Sequence, residues 1–487
     1  MKSKVMRAVS VVMCSAMVLG LLSGCEQKSS DEKAKKDVVI KDMEQEEVPV
    51  YSFDYIGGND VMPLLGYFGP YLTMHSYDGN NFPGTLTDEF YQAVADCGIN
   101  VLSYPQIDYA TAPESTMKML DLADKYGIGQ AVFDTNVMNG YDLTKEEVVE
   151  YMKEYMTHPA YVGFFLYDEP GNSGYISHRT NYSQLSNLSK ILNDDLGMWS
   201  YLNLAACDLP DGDPQIYANY VKEYCETQSP KVLSYDHYAQ FDPNLAMDES
   251  PYLWNMAIIR QYAQEYNLPW WGYIAAGGQW NDAQAYIEST EYYPTESQFN
   301  WNVHTNLAFG AKGLSYFILN QPYWFAYAEE EGKYDFERNG IFGAYGNKNQ
   351  WYYYTQNANK HIEAVDEILM NAVSKGIIIS VDEKTYNRDM KYLNEDYLID
   401  TSAFIEGTSW RELEDISGEV LVGCFNYQGK TALYVVNYSW DYAQKIDLSF
   451  VKECNVKVIQ DAEISYVKGS SMTLDMAAGD GALLVFE

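Results

Sequence analysis

Hydrophobic and polar positions alternate in a regular rhythm from Met62 to about residue 370. Short apolar, aromatic-rich runs are each followed by a segment whose apolar residues recur at helical spacing. This rhythm is typical of repeated βα units. The strands are predicted at 63–70, 100–106, 129–135, 161–168, 198–205, 232–238, 270–276 and 314–319. The helices that follow them are predicted at 88–97, 115–126, 144–156, 183–193, 216–227, 252–266, 295–309 and 356–370.

Eight strand–helix pairs predict an α/β fold of the (β/α)8 TIM-barrel type. An open, doubly wound sheet is the alternative. No Gly-x-Gly-x-x-Gly pattern follows the first strand, however, and the count of eight favours a closed barrel. Local signals support the helix boundaries: Thr144 and Glu147 have the spacing of a capping box, and Gly98 and Gly310 follow helical segments as stop residues.

The rhythm changes near Ser374, where closely spaced strand-like runs replace the βα units. The runs lie at 376–381, 419–427, 431–438, 445–448, 455–460, 471–476 and 482–486. Turn residues separate them, and no helical pattern intervenes. We therefore assign residues 49–374 to the barrel and residues 375–487 to a C-terminal antiparallel β-sandwich.

The N-terminus has the pattern of an export signal. Three basic residues precede an apolar run over 8–22, which is too short for a comfortable membrane span and ends in Leu-Ser-Gly-Cys at Cys25. This tetrapeptide resembles the bacterial lipobox, in which the cysteine becomes the lipidated first residue of the mature protein. We expect residues 1–24 to be a lipoprotein signal peptide, residues 25–48 to be a flexible polar stalk, and the protein to be lipid-anchored at the cell surface.

Charge and aromatic content narrow the choice of ligand. The chain has 32 Lys and Arg against 69 Asp and Glu, a formal charge of −37. Nucleic-acid binding needs basic surfaces, so this balance argues against it. The 45 Tyr and 10 Trp suit flat, hydroxyl-rich ligands such as sugars, because rings stack on C–H faces while phenol and indole edges hydrogen-bond. A Tyr-rich proteome is the alternative explanation.

Cysteine and histidine spacing predicts neither a disulfide framework nor a metal site. Five cysteines follow Cys25, an odd number without zinc-ligand spacing, so buried free thiols are expected. A Cys424–Cys454 bridge is the alternative. We expect no metal and no cofactor.

The run Phe-Phe-Leu-Tyr-Asp-Glu-Pro-Gly carries the sharpest chemical signal. A buried strand delivers Asp168 and Glu169 at its C-terminal end, where the catalytic groups of barrel enzymes lie, and Pro170 ends the strand there. Glycosidic cleavage needs two such carboxyl groups, one to donate a proton and one to act as nucleophile or to activate water. The structural alternative is that Asp168 and Glu169 cap the next helix or pair with a base.

Other strand ends offer the second carboxyl group and the sugar contacts. Asp236, after strand six, is the first choice of partner for Glu169, with Asp134 and Asp282 as alternatives. The candidate sugar contacts are Asn203, His237, Tyr238, Trp271, Gln279, Trp280 and Trp324. For each aromatic residue the alternative is packing inside the barrel, and a lone histidine is more often structural. The aromatic segment 320–354 is a candidate substrate wall.

Three stretches resemble bacterial glycoside hydrolases with clan-A-type barrels, in particular the family 42 β-galactosidase-like group and related barrel lipoproteins. They are the Tyr-Asp-Glu-Pro-Gly turn after strand four, the Ser-Tyr-Asp-His-Tyr stretch at strand six, and residues 270–322. The resemblance implies that Glu169 is the general acid/base, with Asp168 where the clan usually has Asn. It also implies a nucleophilic Glu at the end of strand seven, where this chain has Ala-Ala-Gly-Gly-Gln-Trp with Gln279.

These observations predict a surface-anchored glycoside hydrolase that acts on an oligo- or polysaccharide. Because an aspartate is short and strand six lies two strands from strand four, a wide gap between Glu169 and Asp236 favours an inverting mechanism. The missing glutamate on strand seven supports the alternative of a non-catalytic glycan-binding lipoprotein on a degenerate barrel. A third hypothesis, an adhesion or protein-interaction lipoprotein, rests on the surface anchor alone.

The lipobox predicts that Cys25 carries the membrane anchor. Cys25→Ala removes the thiol that accepts lipid, so we expect the protein to be released to the medium or to stay unprocessed. Cell fractionation and the mass of the N-terminal peptide measure both outcomes. Normal cleavage with unchanged membrane retention would refute the lipoprotein assignment.

Overall fold

Eight parallel strands form one closed barrel, as predicted. The strands are β1 (Leu64–Gly66), β2 (Val101–Leu102), β3 (Gly129–Val132), β4 (Tyr161–Asp168), β5 (Trp199–Leu204), β6 (Leu233–Tyr235), β7 (Trp270–Ala275) and β8 (Leu314–Phe317). Each strand pairs with the next along the chain, and β8 closes the ring on β1 with Leu64 opposite Leu314. The predicted (β/α)8 TIM barrel is confirmed.

This architecture is seen in a computed structural model that describes residues 39–75, 81–207, 214–239, 241, 251–278, 292–322, 327–330, 333–394, 397 and 401–487. Residues 39–487 belong to one compact unit. Within the described ranges, no helix is both long and apolar enough to cross a membrane.

One principal helix follows each barrel strand. The helices are α1 (Asp88–Asp96), α2 (Pro113–Tyr126), α3 (Lys145–Met152), α4 (Tyr182–Lys190, continued by a π-helical turn over Ile191–Asp195), α5 (Pro214–Thr227), α6 (Tyr252–Glu265), α7 (Glu296–Phe309) and α8 (Gln350–Met370). The predicted capping box is present at α3, where the Thr144 side chain accepts from the Glu147 amide and the Glu147 carboxylate accepts from the Thr144 amide.

The last barrel helix corrects one expectation. The side chain of Asn349 accepts a hydrogen bond from the Trp351 amide and caps α8, which therefore starts at Gln350 rather than at residue 356. Trp351 is fully buried, and its indole donates to the Arg338 carbonyl at 2.8 Å. The four aromatic residues at 351–354 thus belong to a helix and not to a loop that walls the substrate site.

Aromatic side chains fill the barrel interior in layers. At the N-terminal end, Phe53 packs edge-on against Trp199 (5.1 Å between ring centroids) and lies 6.2 Å from Trp271. Above this plug, Tyr67 lies 5.3 Å from Tyr273. The barrel is therefore closed below, and its C-terminal mouth is the side on which polar groups face solvent.

The C-terminal part is an antiparallel sheet that folds over on itself as a sandwich. Its strands are β9 (Ala372–Ser380), β10 (Leu413–Ile416), β11 (Val420–Tyr427), β12 (Lys430–Asn437), β13 (Gln444–Gln460), β14 (Glu463–Met476) and β15 (Gly481–Phe486). Their order is β9–β11–β12–β15–β13–β10, and β14 pairs with β13. The long strand β13 pairs with β10 near Leu448 and with β15 near Val458, across an irregularity after Ser449, so it joins the two layers.

The predicted sandwich is confirmed, with local corrections. The predicted strands at 445–448 and 455–460 are parts of the single bent strand β13, and β10 was not predicted. A short helix, Glu383–Asp389, lies between β9 and β10, where the sequence showed no helical pattern. Its N-cap is Asp382, whose side chain accepts from the Thr385 amide.

The cysteines confirm the expectation of free thiols. All five are buried and unbridged, and they are Cys97, Cys207, Cys225, Cys424 and Cys454.

Hydrogen bonds join the end of the predicted stalk to the sandwich. The amide of Met43 donates to the Gly429 carbonyl at 2.8 Å, and the Asn426 side chain donates to the Glu44 carbonyl at 2.7 Å. These bonds give the backbone of this segment partners on the β11–β12 hairpin. Residues 39–48 therefore belong to the folded body, contrary to the prediction of a flexible stalk that extends to residue 48.

One face of the sandwich packs on helix α7. Tyr434 of β12 is buried between the two parts, and its hydroxyl group lies 2.8 Å from His304 Nδ1 and 2.9 Å from His361 Nε2. On the neighbouring strand, Gly423 lies so close to α7 that a Cβ atom there would sit 2.1 Å from the Ala308 carbonyl oxygen. The barrel and the sandwich therefore share a close-packed interface.

Gly423→Ala is predicted to destabilise the protein by forcing α7 away from the sheet. Overpacking of this kind costs about 1–3 kcal/mol, which a lowered denaturation midpoint would report. Gly469→Ala in β14 is the matched control, because its nearest neighbour outside the adjacent residues is 3.3 Å away. Equal midpoints for the two variants would contradict the close packing.

Candidate active site

Two aspartates and one asparagine meet at the C-terminal mouth of the barrel. Asp168 is the last residue of β4, Asn203 lies near the end of β5, and Asp236 follows β6. In the parallel register Asp168 lies opposite Asn203, and Asn203 lies opposite Ser234, two residues before Asp236. Asn203 and Asp236 follow the interior residues Tyr201 and Ser234 by two positions, and a register shift between Phe165 and Tyr167 turns Asp168 to the same interior side.

The amide of Asn203 bridges the two aspartates. Its Nδ2 donates to Asp236 Oδ1 at 2.9 Å and to Asp168 Oδ1 at 3.3 Å. The distance between Asp168 Oδ1 and Asp236 Oδ1 is therefore no greater than the sum of these two hydrogen-bond lengths. Asn203 itself is 1% exposed, whereas Asp168 and Asp236 are half-buried, so the carboxyl groups and not the amide face the opening.

The environment disfavours two negative charges here. Burial, and next the charge of Glu169, raise the pKa of Asp168 to about 6. Burial, and next the charges of Glu169 and Asp168, raise the pKa of Asp236 well above its usual range. Hydrogen bonds from Asn203 oppose both shifts. Both shifts favour the protonated form, so the surroundings oppose two negative charges at this position.

Glu169 stands apart from this pair in conformation and contacts. Its backbone is left-handed, with φ of +49°, which costs a non-glycine residue roughly 1–2 kcal/mol. Its amide donates to the Asn203 carbonyl at 2.8 Å, and its Oε2 lies 2.5 Å from Nη1 of Arg179. The strained turn thus directs Glu169 to a base in the β4–α4 loop, as the structural alternative anticipated.

Two other predicted contacts, His237 and Tyr238, follow Asp236 in the chain, and both are half-buried. Burial, and next the charges of Asp236, Asp168 and Glu169, raise the pKa of Tyr238, which places its phenol among them. His237 lies 2.8 Å through Nδ1 from Asn255 of α6, and burial lowers its pKa to about 4, so the ring is neutral.

The structure assigns different roles to two predicted sugar contacts. Asn203 is almost fully buried and holds the carboxyl groups, so it offers no surface to a sugar. Trp271 is fully buried at the N-terminal end of the barrel, 5.4 Å from Trp199. Trp271 is the second residue of β7, which ends at Ala275. Its inward-facing side chain therefore lies near the N-terminal end of the barrel and not at the mouth. It is a packing residue.

The contacts of Asp134 show its structural role, and five other predicted residues lie outside the ranges that the structure describes. Asp134, an alternative partner carboxylate, is fully buried and accepts from the Asn136 amide at 3.0 Å and the Tyr155 hydroxyl group at 3.2 Å. It caps a short helical turn. Predicted residues outside the described ranges are Cys25, Gln279, Trp280, Asp282 and Trp324.

Sequence reasoning missed several residues of the mouth. Half-buried aromatic side chains rim the opening, and they are Phe68, Tyr104, Phe133, Tyr238 and Phe317. Four of these five rings were not proposed as sugar contacts, although all five lie within the last three residues of predicted strands. No motif marked Arg179. Among the described residues, no three His, Cys, Asp or Glu side chains are grouped as metal ligands.

Comparisons with known proteins bear on the fold. No protein-family model matches the chain, and no curated protein matches it in sequence. The structure resembles a β-galactosidase from Bacillus circulans sp. alkalophilus with a TM-score of 0.50 and 9% identity, over 88% of this chain and 99% of that chain. Below that lie a GH27 β-L-arabinopyranosidase from Geobacillus stearothermophilus (0.45, 9%, over 90% and 98%) and a GH30 endoxylanase from Clostridium papyrosolvens C71 (0.41, 11%, over 90% and 98%). These structural neighbours are glycoside hydrolases, and at such identities the likeness to the β-galactosidase shows a shared fold.

The raised pKa of Asp168 predicts a stability effect that needs no substrate. An unfolded aspartate ionises near pH 3.9 and the folded one near pH 6, so folding loses stability as the pH rises through that window. Asp168→Asn should therefore raise the melting temperature at pH 7, on the order of 2 °C, and leave it unchanged below about pH 4. Asp475→Asn, at an exposed position on β14, is the control. A variant that melts lower at pH 7 would contradict the buried charge.

Proposed function

We propose that the protein is a glycoside hydrolase acting on an oligo- or polysaccharide with Asp168 and Asp236 as its catalytic pair. The observation that carries this proposal is the bridge that Asn203 makes between two half-buried carboxyl groups at the mouth of the barrel. One group of such a pair can give a proton while the other stabilises or attacks the developing positive charge at the anomeric carbon.

Asp236 is the proton donor in this proposal. Burial and two neighbouring charges favour its protonated form, which a general acid needs at neutral pH. Glu169 was the expected acid, but its carboxylate is ion-paired with Arg179. We therefore place the acid at Asp236, and Glu169 with Arg179 at the edge of the site.

Asp168 is the nucleophile. The two hydrogen bonds from Asn203 hold Asp168 Oδ1 and Asp236 Oδ1 closer together than the roughly 6.5–9.5 Å between the carboxyl groups of inverting enzymes, so we propose retention. An oxygen of Asp168 attacks the anomeric carbon, the glycosidic C–O bond breaks, and Asp236 protonates the departing oxygen. Water then attacks the same carbon, gives a proton to Asp236, and releases Asp168.

The rim of aromatic rings supplies the sugar-binding surface. Tyr238, Tyr104 and Phe317 are half-buried and supply aromatic surface and two phenols near the mouth. The anionic chain favours a neutral glycan over an acidic one. We further propose that the lipid on Cys25 holds the enzyme at the cell surface, exposed to external glycans.

The alternative is a glycan-binding lipoprotein without catalysis. The ion pair between Glu169 and Arg179 favours it, because that pair occupies the position at which related enzymes hold their acid. Binding of oligosaccharides with no turnover across a broad panel would establish this alternative.

Asp236→Asn and Glu169→Gln separate the two candidate acids. Loss of a general acid typically costs 10²–10⁴-fold, so Asp236→Asn should lower kcat/KM by that range on unactivated glycosides. The loss should be smaller on nitrophenyl glycosides, whose leaving groups need little protonation. Glu169→Gln should show a smaller loss without this dependence on the leaving group. The reverse pattern would assign the acid to Glu169.

The stereochemistry tests the role of Asp168. NMR of the first-formed anomer should show retention, and mass spectrometry after reaction with a 2-deoxy-2-fluoro glycoside should find the sugar on the peptide that holds Asp168. An inverted product would refute the proposed nucleophile.

A further inference from the structure

A chain of buried hydroxyl groups lies directly beneath the bridging asparagine. Ser234 Oγ lies 3.1 Å from Asn203 Oδ1, the Tyr201 hydroxyl group lies 3.2 Å from Ser234 Oγ, and the Tyr273 hydroxyl group lies 2.5 Å from that of Tyr201. The four side chains come from β5, β6 and β7, and none is more than 2% exposed. Solvent therefore does not compete for these hydrogen bonds.

The direction of every proton in this chain follows from the aspartates above it. The Asn203 amide presents Nδ2 to both aspartates, because the ionised member of the pair would repel the amide oxygen. Asn203 Oδ1 then points down and accepts from the Ser234 hydroxyl group. That group has a single proton, so its oxygen accepts from Tyr201.

The same argument continues one step further. The proton of Tyr201 is committed to Ser234, so the oxygen of Tyr201 accepts from the hydroxyl group of Tyr273. All the donors along the chain therefore point towards the carboxyl groups. Hydrogen bonds aligned in this way polarise one another and strengthen the last donor, Asn203 Nδ2.

We propose that Ser234, Tyr201 and Tyr273 are positioning residues that lock the Asn203 amide towards the two aspartates and thereby keep Asp168 an anion. The proposal rests on the proposed function for its catalytic meaning, but the electrostatic effect exists without substrate. When the chain is broken, Asn203 Oδ1 loses its donor, the amide is free to turn, and the aspartate pair takes up a second proton more readily.

Other ionisable groups lie near Asp168 and Asp236, and their own titration must be distinguished from that of the two carboxyl groups. The charged or titratable groups that act on the pair are Glu169, Arg179, Tyr67, Tyr104, Tyr201, Tyr235, Tyr238 and Tyr273. Burial raises the pKa of all six phenols. His237 follows Asp236 in the chain, but its ring contacts Asn255, and burial lowers its pKa to about 4. The phenols therefore stay neutral across the acid and neutral range, in which the carboxyl groups titrate.

The test is a pH titration of Asp168 by ¹³C NMR in protein labelled at aspartate carboxyl carbons, with the signal assigned by its loss in Asp168→Asn. Ser234→Ala should raise the titration midpoint by roughly 0.5–1 pH unit, which is the effect of losing one hydrogen bond. Tyr201→Phe should raise it less, and Tyr273→Phe least, because each lies one bond further away. The acid limb of kcat/KM should move by the same amounts.

Tyr224→Phe is the matched control. It also removes a buried hydroxyl group, one that donates to the Val232 carbonyl at 3.0 Å outside the chain. Unchanged midpoints in the three chain variants, or an equal shift in the control, would overturn the proposal. A graded shift in a protein that cleaves no glycoside would support the hydroxyl chain and refute the proposed function.

Discussion

The central constraint in this structure is the burial of two carboxyl groups side by side at the mouth of a barrel. Like charges at such a distance resist joint ionisation, so a hydrogen-bond donor held between them stabilises the pair. Asn203 supplies the donor to both Asp168 and Asp236. The position of Asn203 in turn requires β5 to lie between β4 and β6 in the observed register, so the barrel itself determines the electrostatics.

The rest of the fold holds that register. The interior below the site is filled by aromatic rings, with Phe53, Trp199 and Trp271 closing the far end. The sandwich packs on helix α7 through a contact so close that it leaves no room for a side chain at Gly423. A rigid support of this kind suits a site whose protonation depends on distances between side chains on separate strands.

The turn that follows β4, at Glu169, has a strained backbone. The left-handed backbone of Glu169 and its pairing with Arg179 fix the turn that leaves β4. Strained residues of this kind persist only where their surroundings determine them, and they are frequent at functional sites. Here the turn separates two adjacent carboxyl groups, so that Asp168 faces Asp236 while Glu169 faces a base. Adjacent carboxylates in sequence therefore have different hydrogen-bond and ion-pair partners.

The sequence by itself determined the elements and their order, because helical and strand periodicity is local. It predicted β4 at its observed ends, the capping box at Thr144, the change from βα units to closely spaced strands, and Asp168, Glu169 and Asp236 at strand ends. Tertiary structure alone decided which groups meet. The bridge from Asn203 joins three strands, and Arg179 reaches Glu169 from a loop that carries no motif. The depth of Trp271 depends on where β7 sits in the barrel. Periodicity gives the face of a strand, whereas partners and depth follow from barrel closure, which no local pattern encodes.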